Sequence, residues 1–140
     1  MRSTSRIRNT LLRIAAVAAL AFGLLTIRSG ASVLFGDPLD AAGAGAVVPF
    51  VLWFNFTAGF ANVAASAGLW FFQRWAAWLA IAIALATVVA FGLFGVHVAQ
   101  GGPYETRTLL AMVVRSSFWI VITVIACSTV NCLPWQAKRR

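Results

Sequence analysis

SAGLWFFQRWAAWLA, residues 66–80, decides how this chain folds. One apolar run ends in Trp70-Phe71-Phe72, two polar residues follow at Gln73 and Arg74, and a second apolar run starts at once with Trp75. So short a connection forces two helices to lie side by side and antiparallel. Trp70, Trp75 and Trp78, joined by Trp135 near the chain's end, form a belt of the kind that collects at a membrane–water interface. The turn therefore marks a membrane surface.

Working outward, four apolar runs have the length needed to cross a hydrocarbon core, about 17–25 residues each. They occupy 11–27, 46–72, 75–99 and 108–132. The chain is 61% hydrophobic and only 10% charged, against roughly 25% charged residues in a soluble domain. No run alternates with period two, which disfavours a membrane barrel and leaves helices to satisfy their own backbones. The prediction is an all-α fold: one integral membrane domain, a bundle of four transmembrane helices running up-down-up-down. Arg2, Arg6, Arg8 and Arg13 ahead of a short apolar run also fit a secretory signal peptide. The segment is read here as a retained first helix.

Charge sets the expected orientation. Arg2, Arg6, Arg8, Arg13, Arg74, Lys138, Arg139 and Arg140 are eight of the eleven basic residues, and all lie at the two ends or in the 73–74 turn. All three acidic residues, Asp37, Asp40 and Glu105, fall in the other two gaps. By the positive-inside rule both termini are cytoplasmic, and the loops 28–45 and 100–107 are extracytoplasmic. The expected location is a bacterial inner (plasma) membrane, crossed several times. The net charge of +8 flanks spans and forms no stripe interleaved with aromatics, so the partners are membrane lipids and no nucleic acid.

Within the second run, Gly59, Asn62 and Gly68 are the helix-packing candidates. Small residues four apart, Ala61 to Ala65 and Ala64 to Gly68, let a neighbouring helix approach closely, and Asn62 is expected to act as interhelical glue. Pro49 sits where a helix start tolerates it. Cys127 and Cys132 are read as structural thiols in a reducing compartment.

Polar side chains are costly inside lipid, so their positions point to function. Arg115 lies eight residues beyond Arg107, about 12 Å into the membrane at 1.5 Å per residue. Asn55 has a similar depth in the second run, and His97, Tyr104 and Glu105 gather at the same end. These five are the candidate ligand-binding residues of a pocket on the extracytoplasmic side. There Arg115 would hold an anionic or carbonyl group and His97 would exchange a proton; a quinone or a lipid fits. The plainer alternative has Arg115 snorkelling or binding loop carbonyls, with Glu105 neutralising Arg28 or Arg107. No catalytic residue and no metal ligand set is assigned, because the lone histidine lies far from the cysteines, and no covalently bound cofactor is expected.

Gly23 through Gly36 (GLLTIRSGASVLFG), Gly59-Phe60-Ala61, Gly68-Leu69 and Arg74-Trp75-Ala76-Ala77-Trp78-Leu79-Ala80, with His97 at the far end of the third helix, carry a resemblance. Over residues 11 to about 98 the chain resembles the DoxX-like family of four-helix bacterial membrane proteins. Where that family often has a carboxylate before the second-helix glycine, this chain has Asn55-Phe56-Thr57. Membership would imply association with membrane oxidoreductase complexes, some of them quinone-linked, and supplies no catalytic residues to carry over.

Two function classes follow. The first is a non-catalytic accessory subunit of a bacterial membrane electron-transfer complex, partnered by other membrane-protein subunits. The alternative is a self-standing DoxX-like protein binding a quinone or lipid in the extracytoplasmic pocket, with or without chemistry of its own. A transporter or channel is disfavoured, since Arg115 is the one deeply placed charge and there is no inverted repeat. A reporter fused after Arg140 is expected to stay inaccessible to impermeant reagents in intact cells; labelling from outside would overturn the orientation.

Overall fold

The computed structural model describes residues 2–37, 39, 43 and 45–130 of the chain. Four helices carry it: α1 (Arg2–Phe35), α2 (Pro49–Trp70), α3 (Arg74–Ala99) and α4 (Thr106–Val130). All four are long and apolar enough to cross a membrane, and the described residues hold no strand. This is a multi-pass membrane protein. Lys138, Arg139, Arg140, Asp40, Cys132 and Trp135 lie outside the described residues.

Helix ends follow backbone chemistry. At the 71–73 turn the Gln73 amide donates to the Gly68 carbonyl (2.8 Å) and the Phe72 amide to that of Leu69 (3.1 Å). This pair of bonds is a Schellman motif. Phe72 occupies its left-handed position with φ 56°, where glycine is usual. The same motif ends α3, with Gly101 at φ 79° and bonds from Gly102 to His97 and from Gly101 to Val98, each 3.0 Å. At the start of α4 the Glu105 carbonyl accepts from Thr108 and Leu109. Glu105 therefore takes the cap position.

The first helix is longer than the 11–27 read from hydropathy. Its 34 residues measure about 51 Å at 1.5 Å each, against a hydrocarbon core of about 30 Å. It runs on past Gly30 because α2 covers its last turns. Gly30 packs on Phe56, and the Phe35 ring meets Trp53 and Phe56 edge-on at 6.5 and 5.8 Å.

Contacts between helices give the arrangement. Gly23 of α1 lies against Asn62 and Gly59 of α2 while Gly30 lies against Phe56, so α1 and α2 are antiparallel. Arg8 donates to the Thr129 carbonyl at 3.2 Å and Phe22 stacks on Phe118 at 4.8 Å, so α1 and α4 are antiparallel too. The helices form a closed ring in which each packs on its two neighbours. The N-terminal end of α1, the 71–73 turn and the C-terminal end of α4 share one end of the bundle, here called proximal. There Arg13 lies over the Trp70 and Phe72 rings at 5.7 and 5.5 Å, and Trp75 and Trp78 are half exposed.

Two apolar clusters fill the interior. The larger, proximal one stacks Leu12, Ala15, Ala16 and Ala19 of α1 against Ala65 and Leu69, Ala76, Ala77 and Ala80, and fully buried Trp119. The smaller, distal one joins Val48, Val51, Ala90, Phe94 and Met112. Water does not drive helix association inside lipid; close packing of small residues does. The outward faces are correspondingly oily, with Leu85, Val89 and Val124 exposed.

Of the packing residues, Gly59 and Gly68 make the closest approaches. A Cβ on Gly59 would stand 2.6 Å from Ile27 Cγ1 and 3.3 Å from the Gly23 carbonyl oxygen, and one on Gly68 2.5 Å from Ala76 Cβ. Asn62 is fully buried and fills the space beside Gly23, but neither amide atom has a partner; it holds α1 by volume. Gly92, by contrast, faces open space. Gly59→Val is expected to lower stability in detergent by about 1–3 kcal/mol, the usual cost of overpacking. Gly92→Val should stay within about 0.5 kcal/mol, and equal losses in thermal melts would refute this account of the α1–α2 contact.

Candidate functional site

Arg115 sits on α4 between Met112 of the distal cluster and Trp119 of the proximal one. One helical turn separates each pair, so the three side chains share the inner face. Arg115 is only 6% exposed. It neither snorkels nor reaches loop carbonyls: its Nη2 donates to Thr26 Oγ1 of α1 at 3.1 Å. The guanidinium carbon lies 5.1 Å from the Phe22 ring centre, a cation–π contact. Thr26 can accept that bond because its own proton goes to the Phe22 carbonyl at 2.7 Å. The Nη1 nitrogen is buried and unpartnered.

A cavity of about 430 Å³ opens between α1, α2 and α4 around this group. Thr26, Asn55 and Arg115 give it a polar interior, while Leu25, Leu110 and Val114 form its rim. The rim residues are 65%, 58% and 58% exposed on the lipid-facing side. The mouth is therefore lateral and oily. Among the described residues no acidic side chain lines the cavity, so none of them neutralises the guanidinium. Asn55 Oδ1 is a second buried atom without a partner. Asn55 also borders a smaller space of about 130 Å³ beneath Val47 and Val48 and beside Thr108, nearer the distal surface.

Of the five residues read as a pocket, the structure brings Asn55 and Arg115 together at one cavity; the others lie apart from it. His97 folds over the end of α3, half-buried, packed on Gly102. Its Nε2 is 3.4 Å from the Pro103 carbonyl, and its ring meets Phe50 edge-on at 6.5 Å. Tyr104 is 43% exposed and rests edge-on against Phe94 at 6.1 Å. Glu105 pairs with neither Arg28 nor Arg107. Its Oε1 accepts from the Ala46 amide at 3.3 Å, and its side chain packs on Gly45, whose φ of 72° permits the close approach. It thus fastens the α1–α2 connection to the head of α4.

Thr26 and Phe22 are functional neighbours that sequence reading did not single out. Cys127 is disulfide-bonded rather than a free thiol, which corrects the expectation for that residue. Among the described residues, no group of three or more His, Cys, Asp or Glu is placed to hold a metal ion.

Stability measurements separate the roles of these groups. Removing Thr26's hydroxyl leaves a buried charge with a second unpartnered nitrogen, so Thr26→Val is expected to destabilise by about 1–3 kcal/mol. Removing the charge itself, in Arg115→Leu, should be neutral or stabilising, as with other buried ions replaced by apolar groups. Thermal melts in detergent in which Arg115→Leu is the more damaging change would contradict this. No family model, curated protein or solved structure matches the chain.

Proposed function

We propose that this membrane protein holds an amphipathic molecule by an anionic or carbonyl head in the Arg115 cavity, binding it rather than transforming it. One observation carries the reading: a buried guanidinium with an unpartnered donor nitrogen, Nη1, on a residue that lines a roomy cavity whose described walls hold no carboxylate. Burying a charge without compensation costs several kcal/mol, and a ligand oxygen at Nη1 removes that cost. The cavity falls within the range of about 300–1,000 Å³ found for small-molecule sites. The rim of Leu25, Leu110 and Val114 suits the apolar part of the same molecule. Quinones and lipids both have this build.

Arg6, Arg8, Arg13 and Arg74 at the proximal end, with Trp70, Trp75 and Trp78 beside them, support a cytoplasmic placement of that end in a bacterial inner membrane, against the preference of a disulfide such as that of Cys127 for an oxidising compartment. The cavity then opens in the outer half of the bilayer.

A second reading, an accessory subunit of an electron-transfer complex, draws on the DoxX-like resemblance and on one feature of α3. Gly92 and Gly95 are exposed and have no neighbouring atoms above them. Small outward-facing residues give another subunit's helix room to approach. The two readings are compatible.

Native mass spectrometry of protein purified in mild detergent tests the first. The wild type is expected to retain an acidic or carbonyl-bearing amphipath, and Arg115→Leu to lose it by at least about tenfold, the equivalent of roughly 1.4 kcal/mol. Unchanged retention in Arg115→Leu would sink the reading. Recovery without cofactor-bearing subunits in fixed ratio would count against the accessory role.

A further inference from the structure

We infer that the bound molecule is a phospholipid with a monoanionic phosphodiester and a hydroxyl-bearing head. This rests on the reading of the Arg115 cavity given above and adds the chemistry of its occupant.

Charge comes first. Among the described residues the cavity wall holds one guanidinium and no carboxylate, so a single negative charge balances it. A phosphate monoester carries about 1.5–2 negative charges near neutral pH and would leave an excess in a buried place. A phosphodiester carries one. A zwitterionic head adds a cation for which the described wall residues offer no counter-ion.

Hydrogen bonding narrows the class. Arg115 can only donate, whereas Asn55 Oδ1 can only accept, and both Arg115 Nη1 and Asn55 Oδ1 are buried without partners. An occupant that satisfies both must bring an acceptor and a donor. An ionised fatty acid or an oxidised quinone has acceptors alone and leaves Asn55 Oδ1 unmet. A phosphodiester followed by a hydroxylated group supplies both in sequence.

Shape agrees with this order. The large cavity and the small one beside Thr108 lie on either side of Leu52 and Asn55, which line both. A head with its phosphate at Arg115 can extend its hydroxyl end past Asn55 into the second space, toward the distal surface. A compact carboxylate would leave that space unused. The lateral rim of Leu25, Leu110 and Val114 gives the acyl chains a way out into lipid.

The test uses the full chain in phosphatidylcholine nanodiscs doped with phosphatidylglycerol or with phosphatidylmethanol, a phosphodiester lacking the hydroxyls. Retention per chain is read by native mass spectrometry. The wild type is expected to prefer phosphatidylglycerol by about fivefold, the worth of one neutral hydrogen bond. Asn55→Leu should bring that ratio to about one, and Asn55→Ser, which shortens the acceptor, should do the same if the leucine variant does not fold. Arg115→Leu should reduce both lipids by at least about tenfold. Equal retention of the two lipids by the wild type, with Arg115→Leu still losing both, overturns the hydroxyl assignment and leaves the binding site standing. Undiminished retention in Arg115→Leu overturns the site itself. Soluble glycerophosphoglycerol is a further arm: it should not displace the lipid at millimolar concentration, and displacement would make the ligand a free phosphodiester.

Discussion

The backbone-to-backbone approach of α1 and α2 at Gly23 and Gly59 governs the rest of the bundle. With no side chain between them, these two helices lock together over most of their length. The contact brings Asn62 to the core and pulls the last turns of α1 under Phe56 and Trp53. It also commits α1 to one neighbour. On its other flank, α1 meets α4 through bulky groups, with Phe22 stacked on Phe118 as a strut. The opening that holds Arg115 lies just distal to that strut. A close seam on one side and a propped one on the other give the cavity its place.

Arg115 is expensive for a helix surrounded by hydrocarbon, and its setting shows how the cost is reduced without being removed. The Phe22 ring and the Thr26 hydroxyl take up one part of the guanidinium. Thr26 is itself prepared by bonding its proton to the preceding turn. The remaining nitrogen has no protein partner. Apolar packing is continuous above and below this level, through Met112 and Trp119, so the interruption is local. A wholly apolar side chain would fit the pattern on α4 equally well, which makes its absence informative.

Much of this was legible from residue order. The length of each apolar run and the brevity of the 73–74 connection lead directly to four antiparallel helices, and depth along a helix follows from residue count. Depth puts Asn55 and Arg115 at one level, and both line one cavity. Azimuth is another matter. His97, Tyr104 and Glu105 share that end of the bundle, but they point around its circumference to Phe50, Phe94 and Ala46. Nothing in a single sequence states which way a side chain faces until neighbouring helices are in register. Thr26 escaped notice for the same reason: a threonine inside a helix ordinarily serves its own backbone, and only the α1–α4 register makes it an acceptor. The extension of α1 beyond Arg28-Ser29-Gly30 was equally hidden, because aromatic cover from α2 outweighs a local break signal.

The tight turn at Phe71-Phe72-Gln73 bears on how the chain gets into its membrane in the first place. Of the four spans, α2 is the least oily and α3 the most, and α2 also carries two asparagines, Asn55 and Asn62. Presented alone to the insertion machinery, α2 would be the weakest candidate for leaving water. Joined to α3 by a link too short to let one lag behind the other, it is delivered as half of a hairpin. The stronger partner thus carries the weaker across, and Asn55, which later lines the cavity, travels under its cover.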